Sequence, residues 1–489
     1  MNHGQPTWTD PRLNRRTLIQ AGAVGMLGLG MNELAALQSL AAGDGESAGK
    51  SVIYIYAIGG MSQFETFDMK PDAPLDIRGE FRPIATATPD TFVCEHLPEL
   101  ARRSEMFSLV RTITHPENSH LNGCMVMQSG RTSLPDGFKG PARRTDWPGI
   151  AAVAGHAIGH RGLLPPAMLL PELTWHNRSN LVPGQTAGMM GAKHDPWVVN
   201  ATARCLGNGY NTRGACPDCF EFITYNHPHR HEATPLFETP RLELPADIGE
   251  QRFGGRLDLL AEIDRQRADL ERVAAVTELD RNRQRATALL ADPKTRRAFD
   301  VRNCDPAVIE RYGHNKFGLS MLLARRLVEV GVRMVQVNLG HNFTWDTHGA
   351  QFPILKDRLL PPTDRALSAL LDDLDRSGLL DDVLVVMASE FGRTPQIFRH
   401  NGDLTGYAGR GHWGPLQSVL FAGGGVQGGR VIGKSDKEGA YPLADAHTPE
   451  EFAATIYHTL GIPADSAWHD DQGRPHHVYQ GRPIKALFG

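Results

Sequence analysis

Helical and apolar stretches alternate along much of the 489-residue chain. Leucines at helical spacing in KFGLSMLLARRLVEVG (316–331) lead directly into the apolar run VRMVQVNL (332–339). In the same way, DRALSALLDDLDRSGLL (364–380) leads into DVLVVMAS (382–389). Each pair predicts a surface helix followed by a strand that is buried on both faces. Further apolar runs predict strands within 51–60, 107–115, 162–171 and 416–426.

Strands that are apolar on both faces belong to a mostly parallel sheet covered by helices on each side. We therefore predict an α/β fold, a three-layer α/β/α sandwich, for a single domain over 46–489. Residues from 172 to about 310 interrupt the alternation with a Gly-, Asn- and Pro-rich stretch and then a highly charged helical segment. We interpret this region as an insertion between strands rather than an independent domain.

The first 45 residues have the pattern of an export signal. Arg15 and Arg16 directly precede a short, glycine-rich apolar stretch, and small residues follow in SLAAGDGES (39–47). A twin-arginine signal has this arrangement. We therefore predict a signal peptide and linker over 1–45 and export to the periplasm or beyond, in preference to a basic helix of a cytosolic protein.

Charge and hydropathy exclude two classes of partner. The formal net charge is −4 and no long run of either sign occurs, so we predict no nucleic-acid-binding surface. After the leader, no segment approaches the roughly 18 uninterrupted apolar residues of a membrane helix. We therefore expect no integral membrane span in the mature protein.

Acidic and histidine side chains follow the predicted strands at their carboxyl ends. One strand runs into GHNFTWDTH (340–348), another runs into EFGRTP (390–395), and GRGHWG (409–414) precedes the last strand. Ligands of such sheets gather at the carboxyl ends of the strands, and carboxylate with imidazole is a common metal-binding set. Asp346, His348, Glu390 and His412 could each be an ordinary loop residue, but their joint occurrence favours a functional site of metal-capable side chains.

Six motifs, taken together, carry a resemblance to a known family. They are GGMSQFETFDMKPDAPLDIRGEF (59–81), LPELARRSEMFSLVRTITH (97–115), NSHLNGCMVMQSG (118–130), WDTHG (345–349), SEFGRTP (389–395) and GRGHWG (409–414). They resemble an exported bacterial family, domain-of-unknown-function family 1501 (DUF1501), which is placed among alkaline phosphatase and sulfatase-like proteins. The resemblance runs from about residue 50 to the C-terminus and includes the leader.

This resemblance implies an alkaline phosphatase-like fold and a metal-dependent hydrolase of phosphate or sulfate esters. Asp346, His348 and His412 would hold one divalent metal (Zn, Mn or Ca), and Glu390 would serve a second or bridging position. Ser119 would be the nucleophile, with His120 beside it.

The same resemblance implies how a substrate would be held. Arg393 and Arg410 would clamp an oxyanion through paired hydrogen bonds. The substrate would be a small-molecule or glycan ester.

Three departures from the superfamily pattern bear on the number of metals. Ile58-Gly59-Gly60 stands where a metal-binding Asp usually follows the first strand, so Glu65 or Asp68 would have to substitute. The sulfatase nucleophile signature, Cys or Ser followed by x-Pro-Ser-Arg, is absent from the sequence. Gly411 stands where relatives often have Asp. These departures argue against a two-metal mechanism and leave one metal or none.

Two other motifs could bind a ligand but are explained better by ordinary structural roles. CPDCFEFITYNHPHRH (216–231) could supply a Cys₂His₂ zinc site, but the spacing from Cys219 to His227 is outside the usual finger pattern, which favours a disulfide or an unligated loop. GGGVQGGR (423–430) lacks the Lys-Ser/Thr ending of a phosphate-binding loop, so we interpret it as a turn.

Two alternatives to the hydrolase remain open. One is a non-catalytic member of the same fold whose polar cleft binds an anionic glycan or a partner protein. The other is an enzyme that uses a metal to break a different kind of bond. Stoichiometric bound metal would favour an enzyme over a binding protein.

The export signal is tested by changing its arginine pair. Because the pair is what the twin-arginine pathway recognises, the double variant Arg15→Lys, Arg16→Lys should accumulate as precursor in the cytoplasm. Cell fractionation and immunoblotting would measure this. Normal delivery of the double variant to the periplasm would contradict the assignment.

Overall fold

The computed structural model describes residues 49–159, 164–176, 180–201, 237, 239, 292–399 and 408–489. The predicted leader and the Cys216–His231 segment lie outside the described residues, as does most of the predicted insertion. Within the described ranges, no helix is both long and apolar enough to cross a membrane.

The strands, in chain order, are β1 (Ser51–Tyr56), β2 (Pro83–Ala85), β3 (Phe92–Cys94), β4 (Phe107–Ile113), β5 (Ala167–Leu170), β6 (Trp175–His176), β7 (Asn180–Leu181), β8 (Trp197–Val198), β9 (Met334–Asn338), β10 (Val383–Ala388), β11 (Gly392–Phe398), β12 (Gly409–Trp413), β13 (Gln417–Ala422), β14 (Val431–Ile432), β15 (Lys434–Ser435), β16 (Pro442–Ala444), β17 (Ala467–His469) and β18 (Pro475–His477).

The α-helices are α1 (Leu75–Arg78), α2 (Pro98–Ala101), α3 (His120–Ser129), α4 (Ile150–Ile158), α5 (Pro293–Phe299), α6 (Pro306–Tyr312), α7 (Lys316–Glu329), α8 (Gln351–Ile354), α9 (Leu360–Arg376) and α10 (Pro449–Thr459). Short 3₁₀ turns cover Ser104–Met106, Gly188–Met190, Ala192–His194 and Lys485–Leu487, and a π turn at Leu355–Leu359 joins α8 to α9.

Eight of the described strands form the central sheet, in the order β14-β4-β13-β10-β1-β9-β5-β8. β13 runs antiparallel to both of its neighbours, and the other five pairings are parallel. A strand from each of the six predicted apolar runs lies in this sheet, so the prediction of a mostly parallel α/β sheet is confirmed.

Alternate residues of β1 pack into two different apolar clusters. Ile53 and Ile55 belong to a cluster that includes residues of α7 and α9. Val52, Tyr54 and Tyr56 belong to a second cluster that includes residues of α3, α4 and α10. Because side chains alternate across a strand, a strand with apolar neighbours on both sides must be apolar at every position. This requirement explains the continuous apolar run at the start of the described chain.

The glycine-rich loop 423–430 connects β13 to the edge strand β14. Its backbone N–H groups already donate to backbone carbonyls, Gly424 to Leu380 at 2.8 Å and Gly429 to Phe107 at 2.8 Å. The loop is therefore a hydrogen-bonded turn, as its missing Lys-Ser/Thr ending predicted.

The sheet order places the polar strand ends at one edge. β10, β1 and β9 are adjacent and parallel, and β4 runs in the same direction because two antiparallel steps separate it from β10. β13 runs the opposite way, so the hairpin of β11 and β12 enters it at that same edge. Segments that are far apart in the sequence therefore meet beyond the carboxyl ends of these strands.

The core is tested by removing one side chain of α9. Leu370 is fully buried, whereas Leu443 is 66% exposed. Leu370→Ala should lower the free energy of unfolding by about 2–5 kcal/mol, because it leaves a cavity in close-packed surroundings. Leu443→Ala is the matched control and should change it by less than about 0.5 kcal/mol. Denaturant unfolding measures both, and equal losses in the two variants would contradict the packing described.

Candidate metal centre

The loop after β9 is bonded to the end of β1, and this contact positions Asp346. The backbone N–H of Trp345 donates to the carbonyl of Ile58 at 2.9 Å. The Trp345 side chain is 1% exposed, and its indole N–H donates to the carbonyl of Leu339 at 2.9 Å. Gly59 has φ +119°, and a Cβ there would lie 2.5 Å from the backbone nitrogen of Asp346. The glycine is therefore required for the two loops to approach so closely.

Asp346 lies among three histidines, two of which the sequence predicted. Nε2 of His348 and Nε2 of His412 are each 3.1 Å from Asp346 Oδ1, and the two nitrogens are 2.8 Å apart. Two ligands of a tetrahedral metal ion with bonds of about 2.0 Å are separated by about 3.3 Å. The convergence predicted for these three residues is found, and its spacing fits one small divalent cation.

His120 is the third histidine, and it was expected to lie beside the nucleophile. Its Nε2 is 3.1 Å from Asp346 Oδ2, yet no acceptor among the described residues completes a hydrogen bond with this buried nitrogen. Ligand atoms of His120, Asp346 and His412 all lie within 4.8 Å of one another. A buried nitrogen that faces a carboxylate without a hydrogen bond fits a cation between them.

Hydrogen bonds to the far side of two rings orient their Nε2 atoms. His120 Nδ1 is 2.7 Å from Oε1 of Glu390, and His412 Nδ1 is 2.9 Å from the backbone carbonyl of Asn118. Carboxylate and carbonyl oxygens accept hydrogen bonds, so in the neutral rings Nδ1 carries the hydrogen. Each Nε2 then directs a lone pair toward Asp346, as second-sphere partners of metal-binding histidines usually arrange.

The surroundings set the charge of each group. Burial lowers the pKa of His348 to about 3 and also lowers the pKa of His412, so both rings are neutral at pH 7. Burial opposes a charge on His120 as well, but Asp346 and Glu390 raise the pKa of His120 to about 9. Burial would raise the pKa of Asp346, but His120 and Arg393 lower it well below its usual range. A proton therefore occupies His120 when no cation is bound, and a cation would compete with it.

Glu390 contacts the candidate metal centre through the His120 ring. It is fully buried, and both of its oxygens accept the backbone N–H of Gly59 at 2.9 Å. The basic group that faces it is His120, whose Nδ1 is 2.7 Å from Oε1. Its carboxylate therefore contacts a candidate ligand instead of belonging to the close group of His120, Asp346 and His412.

The two arginines expected to clamp a substrate are fully buried and directed to protein acceptors. Arg393 donates to Oδ1 of Asp346 at 2.8 Å and to the carbonyls of Gly60 at 2.7 Å and Trp345 at 3.0 Å. Arg410 forms an ion pair with Glu65, 2.6 Å from Nη2 to Oε1. Arg393 thus joins the loops of the site, whereas Arg410 pairs β12 with Glu65.

Ser119 is the N-cap residue of α3 and is exposed to solvent. Its side chain does not cap the helix, so the hydroxyl does not bond the first turn of α3. The structure therefore places the expected nucleophile directly before His120, at the positive end of a helix.

Neither carboxylate proposed to replace the missing Asp after β1 reaches the centre. Glu65 is paired with Arg410, and Asp68 lies 2.9 Å from Lys70 Nζ and 3.7 Å from Arg111 Nη1. The suggested substitution by Glu65 or Asp68 is thus not seen among the described contacts.

Several supporting residues carried no individual prediction. His115 Nε2 lies 2.7 Å from the backbone carbonyl of Glu390, and the Asn118 side chain accepts the N–H of Gly414 at 2.7 Å. The ring of Phe343 stacks on His120 with centroids 4.0 Å apart, and Phe391 lies 4.6 Å from the ring of His412. The one feature of the sequence that could have pointed to these residues is their position beside the polar motifs at the strand ends.

The chain is similar to several solved structures at low identity. It shares 11% identity with the PsFucS1 sulfatase from Pseudoalteromonas sp., with a TM-score of 0.37 over 88% of this chain and 70% of that one. It shares 12% with the phosphonate monoester hydrolase SpPMH from Silicibacter pomeroyi, with a TM-score of 0.33 over 91% and 77% of the two chains.

The chain is also similar to the lipoteichoic acid synthase LtaP from Listeria monocytogenes. The two share 10% identity, with a TM-score of 0.31 over 85% of this chain and 72% of that one. No curated protein sequence matches the chain. A family model described as "Protein of unknown function (DUF1501)" matches residues 49–488. Since the match covers nearly the whole sequence, the chain belongs to the DUF1501 family.

Proposed function

We propose that this protein is an exported, metal-dependent hydrolase of phosphate or sulfate esters, with a small molecule or a glycan as substrate. The observation that carries the proposal is the arrangement of His120, His348 and His412 around the carboxylate of Asp346, whose side chain is 17% exposed. The proposal includes a three-layer, alkaline phosphatase-like arrangement of the fold and export through the twin-arginine pathway.

The proposed donor set is three imidazole nitrogens and one carboxylate. Of the ions expected, it suits Zn best and Mn less well, whereas Ca prefers oxygen ligands. When bound, such an ion would polarise an ester oxygen and lower the pKa of an attacking hydroxyl or water. The described residues supply one carboxylate to the close group, and β1 supplies none. We therefore propose one cation in this centre, with Glu390 as the residue that orients His120.

The chain itself would position the reacting group. Ser119 is exposed, so a substrate can reach its hydroxyl. It precedes a ten-residue helix whose first N–H groups favour a bound phosphoryl or sulfuryl group. Arg393 holds Asp346 in place and would thus act on the substrate only indirectly.

One observation favours a second candidate function, a non-catalytic protein that binds an anionic glycan or a partner protein. Arg393 and Arg410, the residues expected to clamp an ester, are fully buried and paired with protein acceptors. Metal analysis of the folded protein, followed by assays on a panel of phosphate and sulfate esters, separates the two functions. Stoichiometric metal with chelator-sensitive esterase activity is expected; folded protein with neither would favour the binding protein.

The first prediction for the centre concerns Asp346. Asp346→Asn removes the only charged ligand of the proposed set, so metal affinity should fall by at least about 100-fold and any esterase activity should be lost. Calorimetric titration of the metal-free protein with Zn²⁺ or Mn²⁺ measures the affinity. Asp471→Asn, at an exposed position, is the control and should behave as wild type. Unchanged affinity in Asp346→Asn would remove the metal centre.

The second prediction concerns Glu390. Glu390→Gln keeps the shape but weakens the contact that fixes the His120 ring, so metal affinity and activity should fall together by about 10- to 100-fold. Glu65→Gln is the matched control, because it disturbs a buried carboxylate paired with Arg410 away from the candidate ligands. It should lower thermal stability while metal content stays unchanged. If Glu390→Gln behaves like this control, Glu390 is a structural residue only.

A further inference from the structure

A second polar cavity lies where the edge strand β14 pairs with β4. Its volume is about 520 Å³, and it contains none of the candidate ligands of the metal centre. Its polar lining includes Asp68, Lys70, Asp90, Arg111, Lys434 and Ser435.

Arg111 is the unusual residue of this cavity. Its side chain is only 21% exposed, yet its buried Nε has no hydrogen-bond partner among the described residues. The carboxylate oxygen paired with it, Oδ1 of Asp68, is 3.7 Å from Nη1, which is too long for a hydrogen bond. A guanidinium N–H that has no acceptor in a largely buried place is costly.

Asp68 does not satisfy Arg111, because it is committed to other groups. Its Oδ1 is 2.9 Å from Lys70 Nζ, and its Oδ2 accepts the hydroxyl of Ser435. One buried carboxylate thus faces two cations. At the rim, the exposed Lys434 adds a positive charge and the exposed Asp90 offsets it. The interior of the cavity keeps one uncompensated positive charge.

We propose that this cavity binds a small tetrahedral oxyanion, a phosphate or sulfate group, through the guanidinium of Arg111. The planar fork of an arginine donates paired, charge-assisted hydrogen bonds to such groups. Lys70 and Lys434 add positive charge beside it. The neighbouring glycine loop contributes little, because the N–H of Gly429 already donates to Phe107. The site does not depend on the proposed ester hydrolysis.

The contrast with Arg393 supports this assignment. Arg393 is more deeply buried than Arg111, but the chain provides it with a carboxylate and several carbonyl acceptors. Arg111 instead lines a cavity, and its Nε has no acceptor among the described residues. A ligand that supplies acceptor oxygens would satisfy it in the same way.

The test is calorimetric titration with inorganic phosphate and inorganic sulfate, together with thermal unfolding at increasing anion concentration. Wild-type protein should bind at least one of these anions and be stabilised by it. Arg111→Met should bind at least about tenfold more weakly and lose the stabilisation, since hydrogen bonds to a charged group are removed. Arg102→Met is the matched control, because Arg102 is 67% exposed and lies outside the cavity. It should bind as wild type.

Two further variants keep the result interpretable. Arg111→Lys keeps the charge but loses the fork, so its affinity should fall between wild type and Arg111→Met. Asp346→Asn should still bind the anion, because it alters only the candidate metal centre. Loss of anion binding in Asp346→Asn with retention in Arg111→Met would place the anion at the metal centre and overturn the proposal.

The source of the oxyanion is distinguished by a third probe, a monosulfated sugar. Tighter binding of this sugar than of inorganic sulfate, with the same dependence on Arg111, would identify a group carried on a glycan. Equal affinities would identify a free anion. No binding of any of the three probes up to about 10 mM would mean that water alone satisfies Arg111, and the proposal would be wrong.

Discussion

The candidate site depends on one constraint, the burial of two carboxylates at the end of the sheet. Glu390 is fully buried and the Asp346 side chain is only 17% exposed, and an isolated carboxylate is expensive to bury. His120 lies between them, 2.7 Å from Glu390 and 3.1 Å from Asp346, and Arg393 contacts Asp346 from the other side. With His120 protonated, two positive charges balance two negative ones. A divalent cation would displace that proton and bring its own charge, so the pocket is prepared for either occupant.

The same groups hold the loops together. Arg393 joins the segments after β1 and β9 by donating to Gly60 and Trp345, and Glu390 accepts the N–H of Gly59 with both oxygens. Removing one of these charges would leave its partner buried and would also free a loop that carries a candidate ligand. Stability and ligand geometry are thus coupled in this site, and for this reason metal content and thermal stability must be measured together.

The parts of this arrangement that follow from periodicity could be predicted from the sequence. Parallel strands bring their carboxyl ends to one edge, so Asp346, His348 and His412 were expected to meet, and they do. The direction of a side chain at a strand end has no such periodic signal. Only the structure therefore shows that Arg393 and Arg410 contact protein acceptors and that His120 faces Glu390. The contact from His412 to Asn118 could not be predicted from the sequence, because it uses a backbone carbonyl, which every residue possesses.

Three arginines differ in whether the protein supplies acceptors for their guanidinium groups. Arg393 and Arg410 are fully buried, and the chain supplies each with acceptors. Their N–H groups therefore have hydrogen-bond partners without a ligand. Arg111 is less buried, but its Nε has no acceptor among the described residues, and the residue lines a cavity. His120 differs from Arg111, because its Nε2 lies 3.1 Å from the carboxylate of Asp346, and a cation would take the place of the proton between them. Because folding leaves few buried polar groups unsatisfied, a buried charged group without an acceptor is a candidate for binding a ligand. On this basis we propose an oxyanion beside Arg111, whereas the cation beside His120 is proposed from the convergence of the ligand atoms.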